Sequence, residues 1–259
     1  MDILVINLPS ATERMTFMAA QLQRLGLAYE RLDAISASDP AAQSRAPYWE
    51  RWERPLKTTE KACLLSHIAA WERIIATGRP TLVLEDDAML SRRVPEVLAA
   101  LENIQNAQHV TLEVRGRRKL VAKRASALVP GLVIRRLYQD RSGAAAYVLW
   151  PDGARYLLED TRQTPGLADA VLCRAYGMTS YQVEPACALQ LDRCASHGIA
   201  TPFAPVSSID AGAAVDRKPG PRFRARRIAA QLRMGLRALG QLGRADRREI
   251  DLKPDDFQP

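Results

Sequence analysis

The chain has 259 residues, 47% of them apolar and 25% charged, which excludes global disorder and fits one large α/β domain or two small ones. Its formal net charge of +8 is unevenly placed: residues 217–248 hold eleven Lys or Arg against one acid, Asp246, while the body before them is nearly neutral. Cys63, Cys173, Cys187 and Cys194 show no CxxC pair or regular spacing, which argues against a zinc site or a disulfide framework and for reduced thiols in the cytosol. The start, Met1 to Asn7, lacks the basic segment and long apolar core of a signal peptide. No run is long enough to span a bilayer, so the chain is expected to stay in the cytoplasm.

Ile3 to Leu8 is an apolar run broken only by Asn7 and predicts a first buried strand. Ser10 and Glu13 have capping-box spacing for a helix that should reach Leu25 and stop at Gly26. Leu27 to Leu32 predicts a second strand, ending at Asp33. This opening is that of a nucleotide-binding α/β domain, yet no glycine-rich phosphate loop is present. Residues 36–57 lack a period; Trp49 and Trp52 there either stack on a sugar or anchor the loop on the core. A long helix from Thr58 through Ile75, closed by Gly78, carries Cys63, Leu64, Ile68, Trp71 and Ile75 along one face, with His67 beside it.

That helix leads into Thr81-Leu82-Val83-Leu84-Glu85-Asp86-Asp87, a buried strand that ends in three consecutive acids. Three carboxylates stay charged together only with a cation or polar partners. Strand ends are also where open α/β sheets bind ligands. The triplet therefore points to a hard divalent cation, Mn²⁺ or Mg²⁺, on Glu85 and Asp87 with phosphates beyond it, or else to a solvated acidic turn. Further on, the pattern predicts a helix over 95–104, a strand over 109–114, a basic loop over 115–124 and strands over 132–138 and 143–150. A helix then runs from Pro151 to Leu158, another starts near Asp169, and 181–183 and 188–191 read as edge strands.

Five motifs in this order, Val5-Ile6-Asn7-Leu8 with Glu13-Arg14, Asp33-Ala34-Ile35, Glu60-Lys61-Ala62-Cys63-Leu64-Leu65-Ser66-His67, Leu84-Glu85-Asp86-Asp87 and Gly143-Ala144-Ala145-Ala146-Tyr147, resemble glycosyltransferase family 25 over roughly residues 1–210. The resemblance implies a GT-A type nucleotide-sugar domain with a mixed, mostly parallel sheet, a UDP-sugar donor, a Mn²⁺-type cation and inversion at the anomeric carbon. It puts Asp87 on the metal, Glu85 on the metal or its water shell and Asp86 near the donor ribose or sugar. Asn7, Arg14 and Asp33 then face the nucleotide, and Ser66 and His67 match a family signature. Inverting transfer needs a general base. Asp169 matches the family's acidic segment, although Ala170 stands where relatives often carry a second acid. Glu113 is the alternative base, and a helix-start acid favoured by the dipole is the other role open to Asp169.

The domains expected are a catalytic one over 1–215 and a basic amphipathic tail over 216–259. In the tail, Ala225, Ile228, Leu232, Leu236 and Leu239 form a stripe flanked by arginines. Such a helix docks peripherally on the inner-leaflet membrane surface, or packs on its own domain or a second copy; nucleic-acid binding by its arginines is a third option, not expected because no accompanying aromatic or known fold supports it. The function expected is transfer of a hexose, galactose first, from a UDP-hexose to a lipid-linked lipooligosaccharide glycan. The rivals are a catalytically incompetent nucleotide-sugar binder and an adaptor acting through the tail.

Overall fold

A computed structural model describes residues 1–140, 143–201, 203 and 220–257. The boundary expected at 215/216 lies outside the described residues. In chain order the strands are β1 Asp2–Asn7, β2 Glu30–Asp33, β3 Thr81–Glu85, β4 Ala88–Leu90, β5 His109–Thr111, β6 Lys119–Ala122, β7 Ser126–Val129, β8 Leu132–Gln139, β9 Ala146–Leu149, β10 Ser180–Glu184, β11 Ala188–Gln190 and β12 Ala245–Arg248. The helices are α1 Thr12–Arg24, α2 Pro40–Gln43, α3 Thr58–Thr77, α4 Val94–Leu101, α5 Pro151–Gln163, α6 Ala168–Arg174, α7 Leu191–Cys194 and α8 Pro221–Leu239.

One mixed sheet runs in the order β12-β6-β8-β10-β5-β9-β3-β1-β2, with β7 paired to β8. β2, β1 and β3 are parallel, as are β5 and β10; the other neighbours in this sheet run antiparallel. β1, β3 and β9 carry apolar runs because both faces are covered. Along β1, Ile3 and Val5 join one core with α1 and α4, while Leu4 and Ile6 join the other with α3, α5 and α6. β3 repeats the split, with Leu82 and Leu84 on the first side and Val83 on the second. A polar substitution at any of these positions would reach a packed layer.

Local chemistry sets the element ends that matter for the site. α3 opens where Glu60 accepts from the Lys57 backbone N–H at 2.8 Å and pairs through both oxygens with Arg54, at 2.7 and 2.8 Å. It closes at Gly78, whose φ of 67° is a left-handed conformation that glycine adopts without a side-chain clash. The chain then enters β3 directly. β4 and β11 form a separate antiparallel ribbon that sets Gln190 opposite Ala88, close to the end of β3.

Several expectations are corrected. α1 starts at Thr12 with Ala11 before it and no side-chain cap, so Ser10 and Glu13 form no capping box. The basic stretch 115–124 contains β6, since Leu120 and Val121 are buried and the Lys119 ammonium is sequestered on Asp140 at 2.6 Å. β10 is interior, lying between β5 and β8. Trp49 and Trp52 are each 8% exposed and pack with Leu56 and Leu64, with Lys61 and Arg174 over their rings, so they anchor the loop. Residues 245–248, inside the stretch expected as tail, pair with β6 as β12.

Candidate active site

The carboxyl end of β3 opens on a cleft of about 1080 Å³, solvent at its mouth included, lined among others by Arg14, His67, Glu85, Asp86, Asp87 and Arg115. Each member of the acidic triplet has a different neighbourhood. Glu85 accepts from His67 Nε2 at 3.1 Å through Oε1 and from Gln190 Nε2 at 3.0 Å through Oε2. Asp86 is clamped by Asn7 Nδ2 at 2.8 Å and Arg14 Nη1 at 2.9 Å. Asp87 Oδ1 is buried and finds no hydrogen-bond partner among the described residues.

The electrostatics follow from those neighbours. Burial pushes the Glu85 carboxyl up, but the His67 hydrogen bond, with Arg115 and Gln190, outweighs it and holds its pKa below the usual range. Burial raises Asp86 against the pull of Arg14 and Asn7. Asp87, buried and repelled by Glu85 and Asp86, is pushed up to about 7. An orphaned buried carboxylate oxygen beside two further acids is a donor set that fits a hard cation. Asp87 and Glu85 are the residues that would hold it.

His67 is fully buried and its orientation is fixed from behind. Trp71 Nε1 donates to the Tyr147 hydroxyl oxygen at 2.9 Å. The Tyr147 hydroxyl therefore donates to His67 Nδ1, 2.8 Å away, which leaves the Nε2 proton for Glu85. Burial pushes the Tyr147 phenol up, so it stays a donor. A Tyr147→Phe variant leaves two buried nitrogens unpaired, at about 1–3 kcal/mol each. Urea denaturation is expected to register that loss; a change below about 0.5 kcal/mol would mean the relay is not formed.

The remaining expected residues fall in three groups. Ser66, 2% exposed, accepts from the Ile35 N–H and donates to Ala62, both at 2.8 Å, so it pins the Ala34–Ile35 stretch against the cleft. Asn7, 1% exposed, faces Asp86 from below. Asp33 is turned outward onto Arg31 at 2.8 Å. Asp169 and Glu113 are not among the residues lining the cleft. Asp169 is half-buried at the start of α6, where Oδ1 accepts the Ala170 N–H at 2.7 Å; burial raises its pKa against that bond. Glu113 is 1% exposed behind β3, with Oε2 on the Ala145 N–H at 2.9 Å, and the Ala145 carbonyl accepts the Glu85 N–H at 2.9 Å. Glu113 thus braces the backbone at Glu85.

Burial and the charge of Glu85 push Glu113 up to about 8. Its folded pKa lies above the ordinary carboxylate value, so its contribution to stability is complete below about 4.3 and is lost as pH rises through 8. Glu113→Gln, which never ionises, is expected to flatten the fall in melting temperature between pH 5 and about 8.5. Thermal melts across that range check it, and an unchanged slope would contradict it.

Sequence reasoning missed Gln190, Arg115 as a cleft residue and the relay through Tyr147. Gln190 reaches Glu85 only through the β4–β11 ribbon, which no local pattern announces. Cys63 was expected only to pack, yet its sulfur, a His67 nitrogen and a Glu85 oxygen lie within 4.8 Å of one another. The α3 turn that separates Cys63 from His67 could have flagged this pair.

The mixed sheet with helices on both faces fits a Rossmann-like α/β fold, with three carboxylates at a strand end beside a cleft. The sequence model of glycosyltransferase family 25 (LPS biosynthesis protein) matches residues 1–172, and the chain belongs to that family. It is a glycosyltransferase. The chain is 26% identical to the lacto-N-neotetraose biosynthesis glycosyltransferase LgtE of Neisseria gonorrhoeae, over 95% of this chain and 92% of that one. It is 27% identical to LgtB of Neisseria meningitidis serogroup B, over 74% of each chain. The lipooligosaccharide biosynthesis protein lic2B of Haemophilus influenzae is 23% identical over 72% of this chain and 74% of its own.

Proposed function

We propose that the chain is an inverting GT-A type enzyme that moves a hexose, galactose first, from a UDP-sugar to a lipooligosaccharide or lipopolysaccharide core glycan at the cytoplasmic face of the membrane. The observation that carries this is the Asp87 oxygen beside Glu85 over the cleft, which has no hydrogen-bond partner among the described residues. Relatives named for lacto-N-neotetraose and lipooligosaccharide biosynthesis support an acceptor of that kind.

A bound Mn²⁺ or Mg²⁺ would offset the charge that grows on the diphosphate leaving group. The protein's own residues do the rest. His67 and Gln190 hold Glu85 ionised and aimed. Asn7 and Arg14 fix Asp86 toward the donor. Arg115, on the cleft wall, adds positive charge where phosphate oxygens would lie. The acceptor hydroxyl forms its bond to the anomeric carbon as the bond to the diphosphate breaks, and its proton passes to a carboxylate, for which the family resemblance puts forward Asp169, at the start of α6 and outside the cleft lining. Oδ1 of that residue is already engaged by the Ala170 N–H, which leaves its other oxygen for the proton.

The test is incubation with UDP-galactose, UDP-glucose or UDP-N-acetylglucosamine and soluble oligosaccharide acceptors, followed by NMR of the product's anomeric centre. Inverted product from one donor is expected. Retained configuration would contradict the displacement, and absence of transfer from every donor would contradict the reading as a UDP-sugar enzyme.

A further inference from the structure

α8 is built inside out for a surface helix. Its body-facing side is held by Phe223, which is 8% exposed, and by arginines: Arg226 donates to the Trp52 carbonyl at 3.2 Å and to the Glu50 carbonyl. Arg237 donates to the Tyr138 carbonyl at 2.6 Å and lies 4.6 Å over the Tyr176 ring. Its isoleucine and leucines point away from the protein. Ile228, Leu232, Leu236 and Leu239 are 57, 63, 69 and 61% exposed, and Leu242 just beyond the helix is 74% exposed. At 100° per residue the four helical ones share an arc of about 80°. Ala230 and Met234, partly covered, lie on the opposite side.

An apolar stripe of this length open to water marks a surface that something covers. Charge selects the occupant. α8 carries six arginines and no acid; Arg222, Arg224, Arg227 and Arg233 are exposed around the stripe. Two copies packed stripe to stripe would oppose these like charges, whereas an anionic bilayer complements them. Among the described residues no helix is long and apolar enough to cross a membrane, so the contact lies along the surface.

We infer that the outward face of α8, from Ile228 to Leu242, docks the protein on an anionic lipid surface, with leucines in the acyl boundary and flanking arginines at the headgroups. This docking does not depend on which sugar or metal the cleft takes. It would hold the enzyme on the surface that carries a lipid-linked acceptor.

Co-sedimentation of the full chain with phosphatidylcholine vesicles, with and without about 30% phosphatidylglycerol, reads it directly. Binding to the anionic vesicles is expected to be about tenfold tighter or more and to weaken with salt. A Leu232→Asp/Leu236→Asp double variant changes only exposed positions, so its melting temperature should match wild type while vesicle binding falls at least about tenfold. Transfer to a soluble acceptor should persist in that variant. Equal vesicle binding by wild type and double variant would overturn the inference. So would light scattering that shows a wild-type dimer dissolved by the same substitutions, because a second copy would then cover the face.

Discussion

Asp87→Ala is expected to abolish the metal dependence of donor binding and to lower kcat/KM by about 10³-fold or more. The oxygen it removes is the buried Oδ1 that finds no partner among the described residues. No neighbour can replace it, since Asp86 is already clamped by Asn7 and Arg14. A second readout separates this loss from unfolding. Burial and the repulsion of Glu85 and Asp86 raise Asp87 to about 7, so in the metal-free protein its contribution to stability fades as pH climbs from about 4 through 7. Alanine removes that cost, and at pH 8 without metal the variant should melt no lower than wild type. Metal-dependent UDP binding in the variant at wild-type strength would contradict the assignment.

Asp169→Asn should leave donor affinity intact and slow turnover by about a hundredfold or more, because asparagine keeps the carbonyl that accepts the Ala170 N–H but cannot take the acceptor's proton. The pH dependence sharpens the expectation. With the Asp169 pKa raised by burial, wild-type kcat/KM should fall on the acidic side as the carboxyl is protonated, and this limb should vanish in the variant. Near-normal turnover would move the base elsewhere. Glu113 is a poor successor, because it is buried behind β3 and bound to the Ala145 N–H.

What the sequence announced and what it hid follow from the range of the interactions. β1 and β3 were readable because strands covered on both faces are continuous apolar runs. α3 was readable from its periodicity and its closing glycine, and the acidic triplet stood out as a charge run that a buried strand leads into. β12 was hidden because its four residues, Ala-Asp-Arg-Arg, carry charge and join the sheet by backbone pairing with β6 and by the ion pair of Arg248 with Glu184. Gln190 was hidden for a related reason: it lies 105 residues from the carboxylate it holds. Asp33 shows the opposite failure. Its place after a strand pointed to the cleft, yet its side chain turns outward onto Arg31, two residues back.

The proposed transfer rests on a metal-assisted donor site on Glu85 and Asp87. Calorimetric titration of the purified chain with UDP-galactose, UDP-glucose and UDP-N-acetylglucosamine, each with Mn²⁺ and with EDTA, tests it most directly. The site described here predicts that one donor binds in preference to the others and that EDTA removes the binding. Equal binding with Mn²⁺ and EDTA, or no binding of any donor in either condition, would contradict it.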